Sequence, residues 1–225
     1  MGRIGSRFGR EHDCVVLDLQ SNCVLRESLD GYRAALGNDN YYIVEGAIDS
    51  WWRSRIVIVP GLGRMNPDLA QKLRDAVERG MHLLLESGAG FLSPAEFVTH
   101  QRMLRQCFDL VVESPVDLWS RSSDRETRFA HHGPRPDRNQ ANRREAIPYV
   151  DYIWPRETRV RDFSQVIPVW PEQGDVIGRV GSLPVAMKKR VGRGTLIFLG
   201  SALGPALRAG DPEARSWARV VTERG

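Results

Sequence analysis

Ile56-Val57-Ile58-Val59-Pro60-Gly61, Asn66-Pro67 and Gly80-Met81-His82-Leu83-Leu84-Leu85-Glu86-Ser87-Gly88-Ala89-Gly90 together decide the fold. Ile56 to Val59 is an unbroken run of β-branched residues, the pattern of a strand covered on both faces. Asn66 is placed to cap a helix, and Pro67 sits in its first turn, where a missing N–H costs nothing. Leu69, Ala70, Leu73, Ala76 and Val77 follow as an apolar stripe at helical spacing, ended by Arg79-Gly80. Met81 to Leu85 is the next strand, stopped by the glycine-rich turn from Glu86 to Gly90. Strand, helix and strand joined by short links predict parallel pairing, with helices layered on a sheet.

The alternation continues in both directions. Cys14 to Leu19 reads as a buried strand, Glu27 to Leu36 as a helix stopped by Gly37, and Tyr41 to Val44 as a second strand. Ser93-Pro94-Ala95-Glu96 is a capping box that opens a helix running to about Phe108. Downstream, Val166 to Trp170, Asp175 to Val180 and Leu183 to Arg190 read as strands, with turns at Gln173-Gly174 and Gly181-Ser182. Val191-Gly192-Arg193-Gly194 then turns into a strand from Thr195 to Leu199, and Pro212 to Val221 is a helix. Between Trp119 and about Arg161 the period is lost, and Pro134, Pro136 and Pro148 interrupt the chain. Tyr149, Tyr152, Ile153 and Trp154 are expected to dock this stretch back. The expectation is one α/β domain over residues 1–225. It is a three-layer sandwich with a mainly parallel central sheet, an irregular arginine-rich insertion at about 119–161 and a C-terminal β-hairpin.

Composition bounds the function. The 225 residues, 41% hydrophobic and 27% charged, exclude a collagenous or globally disordered polymer. Of 32 basic residues only Lys72, Lys188 and Lys189 are lysines, leaving 29 arginines, and the formal charge is +4. Ten arginines against six acids fall in the insertion, so the basic excess belongs there. With no RNP signature, zinc-finger spacing or basic heptad, nucleic-acid association through those arginines is only a second alternative. No apolar run approaches the roughly 18 residues of a membrane helix, so a cytoplasmic protein without a membrane partner is expected. Cys14, Cys23 and Cys107 have neither disulfide-framework nor metal-site spacing, and Cys14 and Cys107 read as core residues.

Ligands of parallel α/β sheets gather where the chain leaves the carboxyl ends of strands. Three such exits carry glycine: Pro60-Gly61-Leu62-Gly63-Arg64, Glu86-Ser87-Gly88-Ala89-Gly90 and Gly200-Ser201-Ala202-Leu203-Gly204. If their strands are parallel, Gly61, Gly63, Arg64, Ser87, Gly88, Gly90, Ser201 and Gly204 share one rim, open to a small anionic ligand. Glycine serving only tight turns and close packing is the other reading. None of the loops is a P-loop or a dinucleotide fingerprint, so no cofactor is expected. A hydrolase would need Ser87 with a histidine base from the insertion, His131 or His132, beside Glu86. The plainer assignment has Ser87 bonding its own turn, Glu86 tied to an arginine, and His82 and His100 packing or capping. His131 and His132 are adjacent and diverge, so no metal site is expected. Trp51-Trp52 and Tyr41-Tyr42 offer one buried and one surface ring each.

The strand ending Val59-Pro60-Gly61, the helix from Asn66 to Arg79, the strand from Gly80 to Leu85 with its elbow, and the later Lys189-Arg190-Val191-Gly192-Arg193-Gly194-Thr195-Leu196-Ile197-Phe198-Leu199-Gly200-Ser201 together resemble the class I glutamine amidotransferase-like (flavodoxin-like) fold. The resemblance is closer to a degenerate branch, the trimerisation domains of family 42 β-galactosidases and related bacterial domains of unknown function. It covers roughly residues 12–113 and 175–221. Active members carry a Gly-x-Cys-x-Gly elbow; laid on this chain, that pattern puts Gly88 at the nucleophile, and no His-x-Glu follows Leu199. The resemblance therefore implies a non-catalytic domain acting as a ligand-binding or assembly module. Its partner would be a small ligand, another protein or a second copy in a homo-oligomer. The hydrolase built on Ser87 is the first alternative.

Overall fold

The structure is a computed structural model and describes residues 14–19, 26–37, 41–44, 54–63, 65–87, 94–118, 149–162 and 165–224. For residues 41–44, 117 and 224 only the backbone is described. The first half alternates as expected: β1 (Cys14–Asp18), α1 (Arg26–Leu36), β2 (Tyr41–Val44), β3 (Ile56–Val59), α2 (Pro67–Glu78), β4 (His82–Glu86) and α3 (Pro94–Phe108). The two-residue β5 (Val116–Asp117), β6 (Tyr149–Tyr152), β7 (Thr158–Arg161) and the two-residue β8 (Gln165–Val166) follow. After them come β9 (Asp175–Val180), β10 (Leu183–Val191), β11 (Gly194–Leu199), α4 (Gly204–Arg208) and α5 (Pro212–Arg224).

Nine strands form one sheet in the order β2-β1-β3-β4-β11-β10-β9-β6-β7. From β2 to β11 every neighbouring pair is parallel; from β11 to β7 every pair is antiparallel. The 2-1-3-4 start is the flavodoxin-like winding, with β11 in the fifth place. Successive strand residues alternate between two cores. Val15, Leu17, Val57, Val59, Leu83, Leu85, Leu196 and Phe198 pack with α2 and α3. Val16, Ile56, Ile58, Leu84, Ile197 and Leu199 pack with α1, α4 and α5. The parallel half is thus the middle layer of three. Cys14 lies in the second core and Cys107 packs at the edge of the first, as read from the sequence.

The cap read at Asn66 acts there, whereas Ser93, the cap of the box before α3, lies outside the described residues. The Asn66 side chain accepts the Asp68 amide at 2.9 Å, and the helix ends with Arg79 as its C-cap before Gly80 at φ 120°. Two expectations need correction. Residues 149–161 are not irregular: β6 and β7 are a hairpin that extends the main sheet through β9, with Tyr152 buried and Tyr149 and Ile153 exposed. The arginines there mark the solvent side of an alternating strand and not a loss of structure. Val166 to Trp170 is not one strand, because Pro168 lacks the donor a ladder needs; only β8 and an isolated bridge at Val169 form. The remainder of the insertion, residues 119–148, lies outside the described residues. The expected C-terminal hairpin is β10 with β11, and its turn holds Gly192 at φ 58°.

Candidate functional site

β3, β4 and β11 are adjacent and parallel, so their three glycine-bearing exits lie on one edge of the sheet. Glu86, the last residue of β4, is fully buried there. Its Oε1 accepts the Ser28 hydroxyl of α1, and its Oε2 accepts the Gly204 amide at the start of α4 at 3.2 Å. The Tyr32 hydroxyl of α1 and the Gly61 amide of the turn after β3 face the same carboxylate and stabilise its charge. Burial outweighs these donors and pushes the Glu86 carboxyl up to about 6. No arginine or lysine pairs with Glu86 among the described residues, which overturns the expected arginine tie.

Close approach explains two glycines of this knot. A Cβ on Gly31 would stand 2.0 Å from the Gly204 carbonyl oxygen, and one on Gly204 would stand 2.1 Å from the Ser28 Cα. The i, i+3, i+4, i+7 set Ser28, Gly31, Tyr32 and Ala35 forms the buried face of α1, and α4 lies directly on it. Gly61 has φ 54°, a conformation that favours glycine and lets its amide face Glu86.

Ser87 leaves the opposite side of the strand. Its hydroxyl lies 2.6 Å from Nε2 of His100 in α3, and both side chains are buried. Desolvation lowers the His100 pKa to about 3, so the ring is neutral near pH 7. Ser87 therefore meets a histidine on α3, and does not merely bond its own turn. Glu86 cannot orient that ring, because it points into the α1/α4 core. The sequence carried a signal for His100: Phe97, Leu104 and Phe108 place it on the same apolar stripe of α3.

The exit of β11 is also tied inward. Ser201 donates to Asp162 at 2.7 Å, both buried, and the Ile167 amide donates to the Gly200 carbonyl at 2.6 Å. Asp162, just past β7, was not singled out in the sequence, and it has no periodic signature there. Near it the buried Tyr152 ring packs on Trp217 at 4.9 Å between centroids, and Tyr152 feels the charges of both Glu86 and Asp162. The structure thus brings Gly61, Glu86, Gly204, Ser28 and Tyr32 together and pairs Ser87 with His100. Gly63 is buried on the same edge. Arg64, Gly88, Gly90, His131, His132, Trp51 and Trp52 lie outside the described residues. Among the described residues no group of three or more His, Cys, Asp or Glu is arranged to hold a metal, and no helix is long and apolar enough to cross a membrane.

No protein-family model matches this chain, and no curated protein does. Solved structures do. A β-galactosidase from Rahnella sp. R3 aligns with 95% of this chain and 31% of its own, at TM-score 0.62 and 12% identity. Gan42B, a family 42 β-galactosidase from G. stearothermophilus, aligns over 96% and 30%, at TM-score 0.59 and 14% identity. The α-L-fucosidase isoenzyme 2 from Paenibacillus thiaminolyticus aligns over 95% and 32%, at TM-score 0.60 and 10% identity. This chain spans about a third of the length of the enzymes it matches. At such identities the likeness is one of fold. The fold is that expected from the resemblance to the amidotransferase-like trimerisation domain of family 42 β-galactosidases.

Proposed function

We propose that this chain is a non-catalytic amidotransferase-like domain that works as an assembly module, with ligand binding at the rim as its lesser variant. The inward direction of the described polar groups at the end of β4 supports this reading. Glu86 is held by donors from α1, α4 and the turn after β3, and Ser87 is buried against His100. An amide or ester bond has no exposed nucleophile to meet among them. The enzymes of similar fold carry it as one part of a longer chain, as an accessory unit would be. Sedimentation of the purified chain tests the reading: a dimer or larger species is expected, and a monomer persisting at high concentration removes the assembly role.

A serine hydrolase has one observation in its favour, the 2.6 Å approach of Ser87 to His100. Against it stand the burial of both groups and a histidine too weakly basic to draw a proton from serine efficiently. Labelling by a fluorophosphonate that disappears in Ser87→Ala would overturn the non-catalytic reading. Nucleic-acid association is weakened at the described end of the insertion, where Arg156 bonds Glu213 at 2.9 Å and Arg159 bonds Asp151 at 2.6 Å.

A further inference from the structure

Glu86 is a buried acid that neither the assembly role nor the hydrolase alternative uses. Its surroundings are chemically one-sided. Ser28 donates to one oxygen and the Gly204 amide to the other, while the Gly61 amide and the Tyr32 hydroxyl face the same group. A carboxylate is an acceptor only, with about four lone-pair sites, and donors on both of its oxygens suit it. A neutral acid carries a proton of its own and is the weaker acceptor, since charge-assisted hydrogen bonds are about twice as strong as neutral ones. The two hydroxyls can rotate to accept that proton. The two backbone amides cannot turn, so they bear the loss.

We propose that Glu86 is a proton-operated latch: as a carboxylate it holds the start of α4 and the turn after β3 against α1, and uptake of one proton in mildly acidic solution loosens both amides. The proton comes from solvent and sits on the carboxyl; no other bond is made or broken. The Gly204 contact, at 3.2 Å, is at the long end of the range for an amide hydrogen bond and opens first. The inference is independent of the assembly reading. The titratable groups that face this cluster are Tyr32 on α1, Cys14 on β1, Tyr152 on β6 and Asp162 after β7. Burial keeps both tyrosines protonated throughout, and the position of Glu86 raised to about 6 agrees with a latch that works near that pH.

Amide hydrogen exchange followed by NMR on the full chain from pH 7.5 to 5 tests it, after correction for intrinsic exchange rates. Protection at Gly204 and Gly61 should fall about three- to tenfold with a midpoint near pH 6, while Leu84 in the middle of β4 stays level. In Glu86→Gln the pH response should vanish. That control also separates the carboxyl from any other group that titrates in this range. Level protection at Gly204 in the wild type, or the same response in the variant, overturns the latch. Should the variant fail to fold, the Glu86 side-chain carboxyl followed by carbon NMR in the wild type decides: a midpoint near 6 is expected, and one in the ordinary carboxylate range overturns it.

Discussion

In β1, β3 and β4 at the centre of the sheet a strand residue is buried whichever way it points; in the outer hairpin of β6 and β7 every second residue meets water. All five residues of β1, all four of β3 and the last four of β4 are buried. β6 and β7 instead alternate, with Val150, Tyr152, Thr158 and Val160 inward and Tyr149, Asp151, Arg159 and Arg161 outward. The cause is connectivity. Parallel neighbours need crossover connections, and their helices cover both faces, whereas β6 and β7 need only a tight turn. Among the described residues the helix that covers that end is α5, through Trp217 against Tyr152. The edge strand β7 presents two arginines, a common guard against strand-to-strand aggregation. Polar groups in the two halves therefore serve different ends. Glu86 and Ser87 knot the interior, while Arg159 bonds Asp151 and lies 5.9 Å from the Tyr149 ring on the open face.

The contrast is sharpest in truncation. Leu84→Ala, at the centre of β4, should cost about 2–5 kcal/mol in urea unfolding, and Tyr149→Ala on the open face less than about 0.5 kcal/mol. Equal costs would mean that the outer hairpin is as fully packed as the centre. Glycines should separate the halves next. Gly204→Ala forces a Cβ to 2.1 Å from the Ser28 Cα and should cost about 1–3 kcal/mol or more. Gly181→Ala, in the β9–β10 turn at φ 57° with open space around it, should cost about 1 kcal/mol from backbone strain alone.

Acid dependence comes third, and its sign differs between a buried and an exposed carboxyl. Glu86 is raised to about 6 from an ordinary value near 4.5. The folded state therefore binds its proton more tightly, and this group's contribution is complete below about 4.5 and lost as pH rises through 6. The change is about 2 kcal/mol. Global stability from this group thus rises on acidification while the Gly204 amide loosens, because the first reports relief of a buried charge and the second a weaker acceptor. Asp109 behaves oppositely. Its bond to Lys189 of β10 lowers it, so its contribution is present above the ordinary carboxylate range and lost as pH falls. The differences in denaturation midpoint between wild type and Glu86→Gln or Asp109→Asn, followed from pH 7 down to about 2.5, should show the two opposite slopes, that of Asp109 confined to the acid end and alone fading in high salt. The smallest effect is expected at the exposed Arg159–Asp151 pair. Asp151→Asn should leave the denaturation midpoint unmoved, and a resolvable loss would mean that the open face is covered in solution.

Legibility followed burial. Ile56 to Val59 and Met81 to Leu85 were readable because strands covered on both faces are written as unbroken apolar runs, and Asn66-Pro67 because a cap is a local contact. The β6–β7 hairpin is hard to read because its outward positions carry Arg159, Arg161 and Asp151, and after 30 proline-interrupted residues each alternation is only four residues long. Val166 to Trp170 has the apolarity of a strand, but Pro168 supplies no donor to a ladder, so only β8 and the bridge at Val169 form. His100 lay on a visible stripe, yet only the position of α3 against β4 shows that its partner is Ser87.

By itself, the amino-acid order determined the alternating elements, the cap at Asn66, the parallel first half and the absence of a cysteine at the elbow. Each of these is a matter of residues close in the chain and of their tolerance for burial. The tertiary structure alone decided which polar groups meet. Ser28 and Gly204 reach Glu86 across 58 and 118 residues, and Ser201 reaches Asp162 across 39. Strand order sets these meetings, and no local preference encodes it. Inside the core an unmet donor or acceptor costs more than a met one returns, so the sheet assembles around those pairings.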